Sequence, residues 1–230
     1  GTGPFVVTEF RPNDVITYAA NENYRVPDQP AFATVVFKGG GDAASAARAV
    51  LETGEFDYAW NLQIDPTILA EMEANGIGEV VTAFGTSVER LHLNQTNPDP
   101  ALGDMRSTLE GGEHPFLTDP AVGQAMSMAI DRALLVEIGY GAGGQATCNV
   151  LPAPELYAST ANDDCLTQDL EGAAQVLEDA GWVDEDGDGV RERDGIRLSV
   201  LYQTSTNAVR QDTQALVKQW WEEIGIEVEL

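Results

Sequence analysis

Over Phe5 to Phe10 and again over Val15 to Ala20, mainly apolar residues with a few polar ones interspersed form a pattern that predicts strands. Arg11-Pro12-Asn13-Asp14 supplies the turn between them. Thr34 to Lys38 reads as a strand, Asp42 as the cap of an Ala-rich helix running to about Glu52, and Phe56 to Trp60 as a further strand. That succession predicts a parallel crossover unit. Asp65-Pro66 opens a second helix to about Ala74, and strands are expected near Glu79 to Phe84 and Glu89 to Asn94. Thr96 to Thr118, rich in Pro, Gly and polar residues, reads as a long loop, a length associated with function or mobility.

The second half is more strongly patterned. In DPAVGQAMSMAIDR, Asp119 can cap the orphan N–H groups of a helix, and Pro120 sits where its missing N–H costs nothing. Val122, Ala125, Met126, Ala129 and Ile130 then recur on one helical face, predicting a helix packed on the core. A short amphipathic helix ends at Gly181 beside Trp182. Ile196 to Tyr202 is a strand, and Asn207 to Ile224 a helix with Val209, Leu216, Trp220 and Ile224 on one stripe. Ile226 to Leu230 closes the chain as a strand, and no internal repeat or low-complexity tract interrupts the pattern. The expected class is α/β, a mixed sheet flanked by helices.

Composition narrows the function. A chain of 230 residues with 43% apolar content can bury a substantial core. Its longest apolar run is far too short to cross a bilayer. No signal peptide precedes Gly1, so a mature or excised piece is expected. Lys and Arg number 12 against 38 Asp and Glu, a formal net charge of -26. Such a surface repels nucleic acid and anionic membranes and favours solubility, cations or high salt; the competing reading is a solvated acidic surface with no acidic function.

The loop from Asp184 to Gly195 carries the sharpest chemical pattern. Asp184, Asp186 and Asp188 alternate, Gly189 provides a tight turn and Val190 a carbonyl, the first half of a calcium loop. The twelfth position, usually a bidentate Glu, is Gly195, so Glu192 or Asp194 would have to complete the shell, directly or through water. The alternative is a solvated acidic turn that places Ile196 on the sheet. Either way the loop joins a helix to a strand, and a structural Ca2+ is the one cofactor it suggests; no organic cofactor is indicated. His92 and His114 read as ordinary polar residues, and no His or Cys set has zinc spacing. GxSxG, HExxH and phosphate-loop motifs are absent, and no carboxylate pair stands out for hydrolysis, so the chain is not expected to be an enzyme.

Taken in order, GTGPF at Gly1 to Phe5, NENY at Asn21 to Tyr24, FKGGGDAASAARAVLETGEFD at Phe37 to Asp57, HLNQT at His92 to Thr96, the Asp119 and Leu177 to Gly195 segments and GIEVEL at Gly225 to Leu230 resemble the solute-binding proteins of bacterial peptide and nickel ABC importers, family 5. Gly123 departs from the pattern, standing where the family usually has an Arg. The resemblance implies a type II periplasmic-binding-protein lobe. Residues 1–230 are expected as a single second lobe, with the first lobe and the C-terminal return strands absent. It implies capture of a peptide or other small solute between this lobe and a partner lobe, and docking on permease subunits. The expected location is extracytoplasmic, periplasmic or as a cell-surface lipoprotein, with membrane association only through the permease or a lipid anchor outside this stretch.

Cys148 and Cys165, an even pair in a chain resembling an exported receptor, are expected to form a disulfide, with two buried free thiols the alternative. The resemblance also places Tyr58-Ala59-Trp60-Asn61 and His92 to Thr96 at strand ends facing the ligand cleft. Trp60 would stack on a ligand and Asn61, Gln63 and Asn94 would hydrogen-bond it; core packing for Trp60 and local capping for Asn94 are the competing assignments. The Asp that holds the ligand's α-amino group in peptide-binding relatives would lie just beyond Leu230. A calcium-stabilised adhesion or scaffold module and a carboxylate-dependent hydrolase are the alternative function classes.

Overall fold

A computed structural model describes residues 1–230, apart from the side chain of residue 75. Its chain divides into two compact units, Gly1–Leu62 and Gln63–Leu230.

In the first unit, β1 (Phe5–Arg11), β2 (Val15–Ala20) and β3 (Thr34–Lys38) form an antiparallel sheet in the order β1-β2-β3. The β1–β2 turn is the expected tetrapeptide, with Asn13 at a positive φ of 59°. Asp14 pairs with both Arg11 and Lys38, tying this turn to the end of β3, and the Lys38 contact holds its carboxyl below the usual carboxylate range. Helix α1 (Ala43–Leu51) begins where Asp42 accepts a hydrogen bond from Ser45 N at 2.7 Å, and it buries Ala47 and Leu51. Residues 56–60 do not form a strand, so the parallel crossover unit expected from 34 to 60 is not built; β3 pairs antiparallel with β2 instead. Alternation makes a segment compatible with a sheet, but only a neighbour with free backbone groups makes it a strand.

In the second unit, α2 (Pro66–Asn75) starts at its Asp65-Pro66 cap as expected, whereas the segments 79–84 and 89–94 adopt no strand pairing among the described residues. The long connection 96–118 is ordered by a short 3-10 helix (Pro100–Met105) and a bridge between Thr96 and Glu113. Helix α3 (Pro120–Met128) forms from the expected helical segment, and a helix not expected from the sequence, α4 (Arg132–Gly139), follows it where Asp131 accepts from Leu134 N as its cap. Then follow α5 (Leu170–Asp179), the hairpin β4 (Glu192–Arg193) and β5 (Ile196–Arg197), and a β6 (Ser199–Leu201), α6 (Ala208–Glu223), β7 (Glu227–Glu229) unit. Strands β6 and β7 pair in parallel through the α6 crossover. The fold is therefore α/β with small sheets of both pairing types, not one continuous mixed sheet.

The core of this unit lies where α3, α5, α6 and β7 meet. Val122, Ala125, Ala129, Leu177, Leu198, Val217 and Ile226 are wholly enclosed. On α6 the buried face runs through Val209, Val217, Trp220 and Trp221 to Ile224, while Leu216 is only partly covered. Trp221 donates its indole N–H to the Met126 carbonyl at 3.0 Å, satisfying the polar edge of a buried ring. Gly225, at φ 88°, ends α6 in the left-handed region, and a Cβ there would stand 2.6 Å from the Arg191 side chain.

One polar node joins the two best-patterned segments. Asp119 caps α3 through Ala121 N, accepts the Trp182 indole N–H at 3.1 Å and pairs with Arg193 at 2.8 Å. Arg193 stacks 4.1 Å over the Trp182 ring, which is 1% exposed. The hydrogen bonds from Trp182 and Ala121 and the Arg193 charge together outweigh burial, its largest single influence, and hold the Asp119 carboxyl below its ordinary pKa.

Candidate functional site

The segment from Val88 to Thr96 borders two recesses in the second unit. One, of about 380 Å³, is lined by Val88, Glu89, Arg90, His92, Thr204, Ser205 and Arg210. The other, of about 520 Å³, is lined by Gln95, Thr96, Leu109, Gly112, Glu113 and Thr118. In the first, Glu89 Oε2 accepts from Arg210 Nη2 and from the Tyr140 hydroxyl, each at 3.1 Å. Burial and then the Glu89 charge push the Tyr140 phenol up to about 12. Arg90 Nε donates to His92 Nε2 at 2.9 Å.

The four expected ligand contacts have different surroundings. Trp60 is 79% exposed and Tyr58 75%, so neither fills the core of the first unit. Asn61 is exposed at a positive φ of 58°, a conformation Asn tolerates better than most residues. Gln63, in the second unit, accepts from Asn207 Nδ2 at 3.1 Å and so braces the residue that caps α6. Asn94 is engaged locally: its Oδ1 accepts from Thr96 N and Oγ1, and its Nδ2 donates to Thr96 O. Gln95, which the sequence did not single out, donates to Leu117 O and closes the base of the 96–118 connection.

The acidic loop folds through its own backbone. Asp184 accepts from Gly187, Asp188 and Gly189 N, Asp186 from Asp188 N, and Asp188 from Val190 N. Carboxylate oxygens of Asp184, Asp186 and Asp188 converge to within 4.8 Å of one another. Arg197 takes the other Asp188 oxygen at 2.6 Å, and that bond is the main reason the Asp188 carboxyl titrates below its ordinary value. Glu192 Oε1 accepts from Glu185 N at 2.9 Å, whereas its Oε2 is buried without a partner among the described residues. Asp194 stands outside the carboxylate group, at φ 54° ahead of Gly195 at φ 78°, making the two-residue turn between β4 and β5.

Cys148 and Cys165 are bonded, with Cα atoms 6.0 Å apart. Arg132, which the sequence reading passed over, organises the surroundings: its guanidinium donates to the carbonyls of Ser127, Ile130 and Cys165 and to Ser127 Oγ. It thereby satisfies the C-terminal carbonyls of α3 and anchors the disulfide-closed loop, while burial lowers its pKa. The signal for it was the Asp131-Arg132 pair at the end of the apolar helix, legible only once the helix was known to break there.

Against this geometry stand the relatives. The family model of the bacterial extracellular solute-binding proteins, family 5 Middle, matches residues 1–230. The chain belongs to this family. Among curated family 5 relatives, the oligopeptide-binding protein AppA of Bacillus subtilis strain 168 is 28% identical over 230 residues, covering 99% of this chain and 38% of its own length. The AppA structure in complex with a nonapeptide aligns at a TM-score of 0.66 and 25% identity, over 99% of this chain and 41% of that one. Lactococcal OppA, complexed with an endogenous peptide in the closed conformation, aligns at a TM-score of 0.80 and 21% identity, over 100% of this chain and 41% of that one, a likeness of fold. The chain thus spans about two fifths of the length of the family 5 members it matches. The type II periplasmic-binding fold expected from the sequence is the fold of these neighbours. No helix among the described residues is long and apolar enough to cross a membrane.

Proposed function

We propose that this chain is the middle segment of an extracytoplasmic receptor that captures a peptide and delivers it to the permease of an ABC importer. The match of a solute-binding family over residues 1–230 carries this reading. The relatives named as oligopeptide-binding supply the solute class. The receptor binds without catalysing a reaction, works outside the cytoplasm, and reaches the membrane through its permease or a lipid anchor. Exposed Trp60 supplies a stacking surface for the solute, with Asn61 beside it. Isothermal titration of the intact protein with a pool of tetra- to nonapeptides tests the reading. Saturable binding that weakens at least about tenfold in Trp60→Ala is expected; absence of heat with every peptide would sink the peptide assignment.

We further propose that the Asp184 loop takes a structural Ca2+ through Asp184, Asp186, Asp188 and the Val190 carbonyl, with Glu192 contributing its unpartnered oxygen, directly or through water. Bound to the native state alone at about 100 times its Kd, the ion adds about 2.7 kcal/mol of stability. Chelation is then expected to lower the Tm, and Asp186→Ala to abolish the calcium response. An identical melt with CaCl2 and with EDTA refutes the site.

A further inference from the structure

The disulfide-closed loop between α4 and α5 is braced at several points and yet offers apolar side chains to solvent. The Cys148–Cys165 bond closes it. At its exit Arg132 donates to the Cys165 carbonyl at 2.8 Å. Just beyond, Gln168 Nε2 donates to Ala129 O and Asp169 N to Met128 O, each at 2.9 Å, which ties this end of the loop to the C-terminus of α3. Asn149 Nδ2 reaches across the loop to Ser159 O at 2.7 Å. Between these braces Pro152 and Pro154 each restrict a further φ angle. Within this frame Val150, Leu151, Leu156 and Tyr157 stand exposed, Leu156 at 83% and Tyr157 at 66%. A single exposed apolar residue is ordinary, but several on one braced loop have the form of an interface anchor. Side chains carried on backbone that is already ordered lose less freedom when they bind.

Charge selects the partner. Between Arg132 and Arg191 the sequence has no Lys or Arg, and the loop itself carries Glu155, Asp163 and Asp164. A second copy of this chain, with its formal net charge of -26, would bring the same acidic loop and is repelled, as is an anionic lipid surface. A protein surface with an apolar depression bordered by Lys and Arg is complementary to both features of the loop.

We propose that residues 148–165 form a docking knob that seats on such a surface of the importer's permease. Val150, Leu151, Leu156 and Tyr157 enter the depression, and the exposed carboxylates of Glu155 and Asp164 meet its basic border. The disulfide and Arg132 hold the loop in its docking form. The proposal rests on the delivery reading above and names the part of this chain that the permease meets.

The test uses the intact receptor loaded with peptide and the permease complex of the same importer in phosphatidylcholine nanodiscs, with empty nanodiscs as the control. Biolayer interferometry reads docking, and titration calorimetry reads peptide affinity. Leu156→Ser with Tyr157→Ser is expected to weaken docking at least about tenfold through the loss of two anchors, with peptide affinity and Tm unchanged. Glu155→Lys with Asp164→Lys is expected to weaken it too, more at about 50 mM NaCl than at about 500 mM, where charge is screened. Undiminished docking by the serine variant overturns the knob and leaves delivery standing. So does a clear fall in its peptide affinity, which would place the loop against the solute, or in its Tm, which would place it against the rest of the receptor. Docking indifferent to the lysine substitutions overturns the basic border. Equal binding to empty nanodiscs assigns the loop to lipid and overturns the permease as its partner. A wild-type receptor that never docks overturns the delivery reading itself, and the knob with it.

Discussion

His114 shows how one residue converts burial into pH dependence. Its Nδ1 accepts the backbone N–H groups of Phe116 and Leu117 at 3.3 and 3.1 Å, and its ring meets Phe116 edge-on at 4.6 Å. Protonation would remove the acceptor and place a charge against the core, so burial holds the imidazole below its ordinary 6.5. A folded pKa below the unfolded one means the unfolded chain binds the extra proton first, so stability is full above 6.5 and falls as pH drops below it. Thermal unfolding between pH 7.5 and 4.5 is expected to show this loss, with a flatter profile over pH 5 to 6.5 in His114→Asn, which keeps an acceptor but cannot titrate. A wild-type profile unchanged by that substitution would show that His114 does not carry the dependence. Trp182 and Asp119 illustrate the complementary case. Each was conspicuous for a local reason, a helix end and a helix start, and the structure shows they are two sides of one contact.

Helices were legible because their signals are local. Asp42, Asp65, Asp119 and Asn207 each cap the helix they were expected to open, since a cap needs only the next three residues. Strands at 56–60, 79–84 and 89–94 were not, because pairing is supplied by distant chain. The disulfide belongs to this scale as well. Cys148 and Cys165 close a loop with a sequence separation of 17 whose regular structure is limited to short 3-10 turns, Glu155–Tyr157 and Asp163–Leu166. Closing a loop of that size removes unfolded-state entropy equivalent to about 3 kcal/mol. Urea unfolding with and without reductant is expected to differ by about that amount, and the difference should disappear in a Cys148→Ser, Cys165→Ser protein. Equal midpoints would mean that the Arg132 hydrogen bonds already fix the loop in the reduced chain.

For the chain as a whole, charge dominates. With 38 acidic residues against 12 basic ones, self-repulsion opposes the folded state, and nine ion pairs among the described residues involve mainly exposed groups that contribute little individually. Raising NaCl from about 10 mM to about 500 mM shortens the Debye length from about 30 Å to a few Å, which screens the repulsion more than it weakens the close pairs. The Tm is therefore expected to rise with salt, in contrast to a protein held by surface ion pairs; a falling Tm would show that the pairs matter more than the net charge.

The sequence by itself determined what depends on near neighbours or on order along the chain: the caps, the β1–β2 turn, the apolar faces of α3 and α6, the cysteine pair and the family. Tertiary structure alone decided which segments found sheet partners, that the parallel unit is β6-α6-β7 and not residues 34–60, and that Asp194 turns a hairpin apart from the Asp184 group. It also decided that Asn94 is occupied by Thr96, and that Arg90 and Arg210, far apart in sequence, line one recess. The division has a physical cause. Backbone hydrogen bonds in turns and helix ends close within a few residues, whereas a sheet edge, a buried guanidinium or a binding recess is completed by groups whose nearness the fold creates.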